Sequence, residues 1–468
     1  MTRETTVPMG SGWAAHELRY ADLGDARLNR RLINLVEALA DQPTSSVPEA
    51  CGDWAATKGA YRFWSSEQVS VAAIGEAHGR STIERVKGHE WVLAIQDTTS
   101  LDFTDHPATQ GLGTLDHPAR RGLKVHSVLM ASTQGVPLGI IHQEVWSRDP
   151  QTLGKKHQRR SKETKDKESQ RWLTALERTQ ESCPEETRVI TVADREADIY
   201  DLLAMPRQPG AELLIRATYN RRVDHEARYL WEAMDQSPVR GEITITLQRR
   251  DNQAARSATL TLRYQTLAIQ PPQHRRARER LRPVEVGVIL AQEESPPPGI
   301  KPVRWLLFTT LTVSTFQEAV QCLRWYSYRW LVERYHFVLK SGCNLEKLQL
   351  GDGQRIRRAL ATYSIVAWCL LWLTYQAREH PEVSCADVLE THEWQSLYCT
   401  VHRTPIPPER PPTLQEAVRW IARLGGFLGR THDGQPGVKT IWRGWRRLHD
   451  IANTWKLLHP DLQNQAVY

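Results

Sequence analysis

Two short apolar runs constrain this chain more than any other feature. Trp91-Val-Leu-Ala-Ile95 leads through Gln96 to Asp97, and Arg188-Val-Ile-Thr-Val-Ala193 leads to Asp194. Apolar runs of this length without alternation read as strands covered on both faces, which calls for helices packed on a sheet. Lys124–Met130 and Gly139–Val145 read as antiparallel neighbours of the first run. The second run flows into a helical pattern from Arg195 to Leu203. Each run stops at an acid, and the carboxyl ends of buried strands are where α/β folds place their chemistry.

With 468 residues, 40% hydrophobic and 25% charged, the chain has the make-up of a soluble globular protein of two to four domains. Its first residues, Met1-Thr-Arg-Glu-Thr-Thr, show no apolar stretch after a basic one, so a cytoplasmic, nucleoid-associated protein is expected. Seven scattered cysteines without a Cys-x-x-Cys read as reduced thiols, mostly packed in the core, and not as a zinc site. His126 and His142 lack a third ligand and read as structural. Leu360–Tyr375 is 16 residues of mainly apolar side chains, short of the ~20 that cross a bilayer, and reads as a buried helix.

A net charge of +7 and a pI near 9.0 favour a polyanionic partner such as double-stranded DNA. The charge is uneven. Residues 148–172 hold nine basic and four acidic side chains, concentrated in a basic loop at 155–167, and residues 216–282 hold fourteen against seven. Either stretch is also readable as a solvated loop.

Residues 1–70 read as a compact helical domain, with Asp25 capping a helix whose Leu28, Leu32, Leu35 and Leu39 form one stripe. Arg27, Arg31 and Asn34 share its opposite face, which suits a groove-docking helix and equally an ordinary surface helix. Since residues 1–70 hold seven basic and nine acidic groups, any DNA contact there is a local patch. An α/β region follows at 71–380, with alternating strands at about 217–312 read as a β insertion. The proline cluster Pro405–Pro412 marks a linker before a helical region rich in Trp and Arg, giving 381–468 as the last domain.

A long helix, opened by a capping box at Ser314 and Gln317, runs to Ser341-Gly342. On a straight helix Tyr326, Arg329, Glu333 and Lys340 share an arc of about 60°. Geometry alone leaves Arg329 and Glu333 as readable as a surface ion pair. Joined with Asp97 and Asp194, however, the set offers three hard carboxylates for divalent cations and two cations for phosphate.

Asp97-Thr-Thr-Ser, Asp194-Arg-Glu-Ala-Asp198 and the Tyr-x2-Arg-x3-Glu-x6-Lys spacing of Tyr326, Arg329, Glu333 and Lys340 resemble the bacterial cut-and-paste DDE transposases of the IS-four family. Shorter likenesses, from Gly59-Ala-Tyr-Arg-Phe63 to Ile421-Ala-Arg-Leu-Gly-Gly-Phe427, extend it over nearly the whole chain. The resemblance implies a mixed α/β fold: an RNase H-like catalytic core with a β-strand insertion, an N-terminal helical DNA-binding domain and a C-terminal helical dimerisation domain. It implies a catalytic and metal-binding triad of Asp97, Asp194 and Glu333 using two Mg2+, with Mn2+ able to substitute. Tyr326, Arg329 and Lys340 would bind phosphate, and Arg216, Trp305 and Trp330 would hold a flipped base during hairpin formation. The implied reaction nicks the transposon end, forms and reopens a hairpin, and joins the 3′-OH to target DNA within a homodimeric synaptic complex. Arg27, Arg30, Arg31, Tyr61 and Arg62 are the candidates for end recognition, although Tyr61, like Trp64, also reads as core. Glu196 and Asp198 read most simply as an exposed first helical turn. Two other functions fit the same sequence: a silent DNA-binding regulator, and a nuclease that cuts without joining.

Overall fold

A computed structural model describes residues 12–149, 167–247, 256–273, 275 and 280–459. Most of the basic 155–167 loop lies outside the described residues. The chain divides into two compact units, one of Glu90–Asp97 with His157–Trp330 and the other of Met1–His89, Thr98–Lys156 and Leu331–Tyr468.

The first of these is built on a sheet. Strand β1 (Trp91–Asp102) pairs in parallel with β5 (Arg188–Ala193), and β5 pairs in parallel with β6 (Ala211–Arg216). The expected β insertion continues this sheet. Strand β10 (Arg304–Thr309) lies antiparallel on β6 and is followed by β9 (Val284–Gln292), β8 (Arg256–Ile269) and β7 (Gly241–Leu247). Helices α6 (Gln170–Ser182), α7 (Tyr200–Ala204) and α8 (Leu230–Gln236) cover the sheet. Trp172, Leu176, Leu202, Met234, Ile215, Val288 and Phe308 close a core between them. Helix α9 (Phe316–Ser327) completes the unit.

In the other unit, helices α1 (Trp13–Glu17), α2 (Ala26–Asp41), α3 (Val47–Cys51), α4 (Trp54–Ser65) and α5 (Val71–Val86) precede β2 (Gly113–Thr114) and the hairpin of β3 (Arg121–Ser132) and β4 (Pro137–Trp146). The Asp25 carboxylate caps α2 as expected, accepting from Arg27 N–H at 2.7 Å, and Leu28, Leu32, Leu35 and Leu39 are buried. Glu17 anchors α1. Its wholly buried carboxylate accepts from both terminal nitrogens of Arg85 (2.7 and 3.0 Å) and lies 2.6 Å from His78 Nδ1. Because His78 Nε2 accepts from Ile140 N–H at 2.9 Å, Nδ1 carries the proton that is given to Glu17. Burial alone would raise the carboxyl pKa, but Arg85 and His78 hold it at about 2.

From Leu331 the unit continues through α10 (Trp330–Phe337), α11 (Gly353–Glu379), α12 (Thr391–His402), α13 (Leu414–Leu424) and α14 (Val438–Leu458). Helix α11 contains the apolar stretch that reads as buried; it is long and apolar enough to cross a membrane, but 89% of its most apolar window is covered by this unit. Helices α13 and α14 cross at Gly425 and Gly444, where a methyl on Gly444 would sit 1.6 Å from the Ile421 carbonyl oxygen. The seven cysteines are free, five of them buried.

Three features depart from the sequence reading. Strand β1 does not stop at Asp97 but runs on to Asp102. The long helix is broken, because Tyr328 and Arg329 N–H groups donate to the carbonyls of Trp325 and Tyr326, tightening the turn before α10. Its capping box is formed by Thr315 and Glu318, one residue later than the Ser314 and Gln317 pair. Asp198, expected in an exposed turn, is buried, because it pairs with Arg221; Glu196 is exposed and pairs with Arg171 at 2.6 Å.

Candidate DNA-processing site

The parallel pairing of β1 and β5 runs from Trp91 opposite Arg188 to Gln96 opposite Ala193. Asp97 and Asp194 are the next residues in register, on strands about 4.8 Å apart. Both are half-buried. The Asp194 carboxylate also caps the turn that follows, accepting from Glu196 N–H at 2.8 Å. Among the described residues, no three His, Cys, Asp or Glu side chains are gathered closely enough to hold a metal ion. Glu333 is half-buried on α10, in the other unit. There α10 is fixed from its buried side, where Tyr335 Oη accepts from Gln143 at 3.2 Å and His336 Nε2 lies 3.3 Å from Ser127 Oγ. Burial, and then the Lys340 charge, hold the His336 pKa at about 3, so it is a neutral support.

Around Tyr326, Arg216, Arg329, Trp305 and Trp330 come together, whereas Lys340, expected to bind phosphate with them, belongs to the other unit. Tyr326 is 4% exposed; the Arg216 guanidinium lies within hydrogen-bonding reach of its hydroxyl, whose own proton has no acceptor. Burial raises its pKa, Asp194 adds to the rise, and the neighbouring Arg329 and Arg216 guanidiniums oppose it. Trp305 meets the Tyr326 ring edge-on at 6.2 Å between centroids. The Arg329 guanidinium lies 4.6 Å from the ring centre of Trp330, itself 41% exposed. Arg216 donates to the Arg304 carbonyl at 3.0 Å, beside Trp305. Neither tryptophan is core: Trp305 is half-buried and Trp330 exposed. Arg195, absent from the sequence expectations, also faces Arg216 and depresses its pKa after burial does. Its position next to Asp194 was the signal available for it.

Lys340 lies in a π-helical turn, Val338–Gly342, where Cys343 N–H reaches the Val338 carbonyl at 2.8 Å. Its ammonium donates to the Ser100 carbonyl at 2.9 Å and pairs with Glu346 at 3.3 Å. Glu346, also missed from sequence, accepts from Asp102 N–H at 2.8 Å, so it ties Lys340 to the end of β1.

On the N-terminal helices, Arg27, Arg30 and Arg31 are exposed on the face of α2 opposite its leucines. Tyr61 and Arg62 are exposed on α4, whereas Trp64 is core. The Arg31 side chain runs beside Gly59, where an added methyl would meet its Nε at 3.6 Å, so α2 presents this arginine next to α4. Lys58 and Trp54, the latter 76% exposed, fall on the same arc of α4 as Tyr61 and Arg62. A wheel drawn for α4, as for α2, would have found them.

Comparison with protein families falls on both ends of the chain. A model described as transposase DNA-binding matches residues 10–69, which contain α2 and α4. A second, the transposase Tn5 dimerisation domain, matches residues 365–455, from within α11 to near the end of α14. The basic, aromatic face of the first helices therefore belongs to a DNA-binding domain, and the C-terminal helices to a dimerisation domain. With both matches flanking a mixed α/β body of strands and helices, the chain is similar at its two ends to Tn5-type transposases.

Proposed function

We propose that this chain is a transposase, a metal-dependent DNA nuclease and strand transferase in which Asp97, Asp194 and Glu333 are the catalytic carboxylates. One observation carries the reading: the buried Tyr326 hydroxyl, which Arg216 approaches as a donor, has no acceptor for its own proton and lies beside two guanidiniums and near the Asp194 carboxylate. A buried orphan donor beside two cations complements a phosphate oxygen. A carboxylate at the same place would repel that phosphate unless a cation lay between them. Asp97 and Asp194 suit such a cation, since they offer hard oxygens from adjacent strands just past the last paired residues and remain half open. When bound, a pair of Mg2+ or Mn2+ ions supplies an activated water and stabilises the attacking and leaving oxygens of an in-line displacement.

The chain's own residues bind and orient. Tyr326, Arg216 and Arg329 hold the scissile phosphate, Lys340 neutralises its neighbour, and Trp305 and Trp330 receive a base displaced from the stack. In this reaction water and DNA hydroxyls are the nucleophiles, so no covalent protein–DNA intermediate forms and Tyr326 is a contact residue. The reaction is then a nick at the transposon end, attack of the freed 3′-OH on the opposite strand to make a hairpin, its reopening by water, and joining to target DNA. The faces of α2 and α4 recognise the end, and dimerisation brings two ends together.

The test incubates the purified protein and its Glu333→Ala variant with Mg2+ and a plasmid carrying the DNA that flanks its own gene. The expected result is excision with hairpin or 3′-OH ends and insertion into a second plasmid by the wild type alone, with binding retained in the variant. Binding without cleavage by the wild type, with Mn2+ as well, would make the chain a silent regulator. Cleavage without joining would make it a nuclease.

A further inference from the structure

Beyond the Tyr326 cluster, the segment that leaves β6 carries groups with no part in the steps above. Asp198, wholly buried, accepts from the backbone N–H of Thr218 (2.7 Å) and Tyr219 (3.0 Å) and from Arg221 Nε (2.7 Å). Arg221 Nη2 returns to the Asp198 carbonyl at 2.6 Å, and Thr218 Oγ1 donates to the Arg195 carbonyl at 3.3 Å. These bonds clamp the segment onto the turn that carries Asp194. Past the clamp the chain doubles back: Leu230 N–H meets the Arg221 carbonyl, Val223 N–H meets the Arg228 carbonyl, and Trp231 N–H donates to Asn220 Oδ1, each at 2.9 Å.

This hairpin turns three aromatic side chains to solvent. Tyr219 is 60% exposed, and Tyr229 and Trp231 are each 44% exposed. The Arg221 guanidinium lies 5.5 Å from the Tyr219 ring centre, and Arg222 and Arg228 are exposed beside them. Residues 217–231 hold three arginines, one of them paired with Asp198, against two acids. Exposed rings gathered on one short hairpin point to a binding surface. Arginines stand beside the rings, and unpaired nucleotides need this pairing, aromatic faces for the bases and cations for the phosphates; protein interfaces are enriched in the same residue types, so a contact between copies is the alternative that the test must separate.

We propose that the 217–231 hairpin is a stacking platform for unpaired nucleotides of the DNA being processed, with Tyr219 and Trp231 as its rings and Asp198 and Arg221 as positioning residues. The inference rests on the DNA-cutting reading above and adds to it a place for single-stranded DNA.

The test measures the affinity of the full chain for two probes by fluorescence anisotropy: a blunt duplex of the gene-flanking end sequence, and the same duplex with a short single-stranded extension. The wild type is expected to prefer the extended probe on the order of tenfold, as base stacking on aromatic side chains predicts. Tyr219→Ala with Trp231→Ala should abolish the preference and leave blunt-duplex affinity unchanged, while Tyr219→Phe with Trp231→Phe should restore it. The side chains replaced are exposed, and unchanged blunt-duplex binding shows that the variants fold. A preference that survives the alanine variant, or is absent from the wild type, overturns the proposal. So does a change of oligomeric state in the alanine variant, which would make the hairpin a contact between copies. Loss of blunt-duplex binding by every protein, wild type included, would mark failure of the function proposed above.

Discussion

Replacing Tyr326 by phenylalanine separates a ligand-binding hydroxyl from a structural one, because the two roles predict opposite signs. The hydroxyl is buried and its proton has no acceptor in the free protein, so its removal gives up only the contact from the Arg216 guanidinium there. A buried polar group left unpaired costs about 1–3 kcal/mol, and the phenylalanine ring keeps the edge-on contact with Trp305. Tyr326→Phe should therefore match the wild type in thermal unfolding or exceed it, by on the order of 1 kcal/mol. In the DNA complex the hydroxyl would donate to a phosphate oxygen, a bond to a charged acceptor contributing about 1.5–3 kcal/mol. Loss of that bond should slow nicking of an end-bearing plasmid by roughly 10- to 150-fold at subsaturating protein. Single-turnover nicking beside thermal unfolding measures both quantities. A variant that melts earlier and nicks normally would show that the hydroxyl serves the fold, and the phosphate-binding argument would fall with it.

Three further predictions concern the rest of the chain. Glu393 is buried, and burial raises its pKa from 4.5 to about 8, so the native protein holds a proton that the unfolded chain has released between those values. Stability should therefore fall with rising pH across that window, by at most about 1.4 kcal/mol per unit. His449, which burial holds at about 4, contributes the opposite slope only up to its ordinary value of 6.5. Between pH 6.5 and 8 the melting curves of wild type and Glu393→Gln should accordingly converge or cross as the wild type loses stability, and parallel curves would contradict the assignment. Glu17→Gln should cost about 3–5 kcal/mol at pH 7, since Arg85 is left buried without its counter-charge. With a folded pKa of about 2 against 4.5, the Glu17 contribution is complete above pH 4.5 and is lost as pH falls towards 2. Thermal unfolding checks both statements. On the DNA-binding face, Lys58→Ala and Arg62→Ala should each reduce the slope of log affinity against log salt by about 1, and an unchanged slope in a salt titration would remove that residue from the interface.

What could be read in the sequence was what local pattern controls. The runs before Asp97 and Asp194 are apolar throughout because both faces of β1 and β5 are covered, so their pattern announces buried strands. The α2 stripe and its Asp25 cap are likewise local, as is the apolar excess of α11. Long-range pairing was not legible. Nothing in the pattern of Arg304–Thr309 says that it will lie on β6, which makes the β insertion a continuation of the sheet. Asp198 was misread for the same reason. A carboxylate soon after a strand end belongs in an exposed turn by propensity, and its burial is offset by distant partners, the backbone N–H groups of Thr218 and Tyr219 and the Arg221 guanidinium 23 residues further on.

The Tyr326-to-Lys340 signature shows why spacing in sequence and position in space diverge even within one helical stretch. A straight wheel places its four polar tips on one arc, but each sits in a differently built piece of backbone. Tyr326 lies near the end of α9, Arg329 in the tightened turn after it, Glu333 on α10 and Lys340 in a π-helical turn. Each piece has its own anchor: the Trp305 ring for Tyr326, the Trp330 ring for Arg329, Gln143 and Ser127 for the buried side of α10, and the Ser100 carbonyl with Glu346 for Lys340. Tightened and widened turns both have poorer hydrogen-bond geometry than a regular helix, and they persist where the side chains they orient are fixed by other contacts. An uninterrupted helix over the same residues would satisfy the backbone better. It would also turn Lys340 off the angle at which Ser100 and Glu346 hold it, because one π turn spends an extra residue on the same rotation. The fixed spacing of the signature therefore belongs to a broken helix, and its function is to be sought in the separate anchors as much as in the four polar groups themselves.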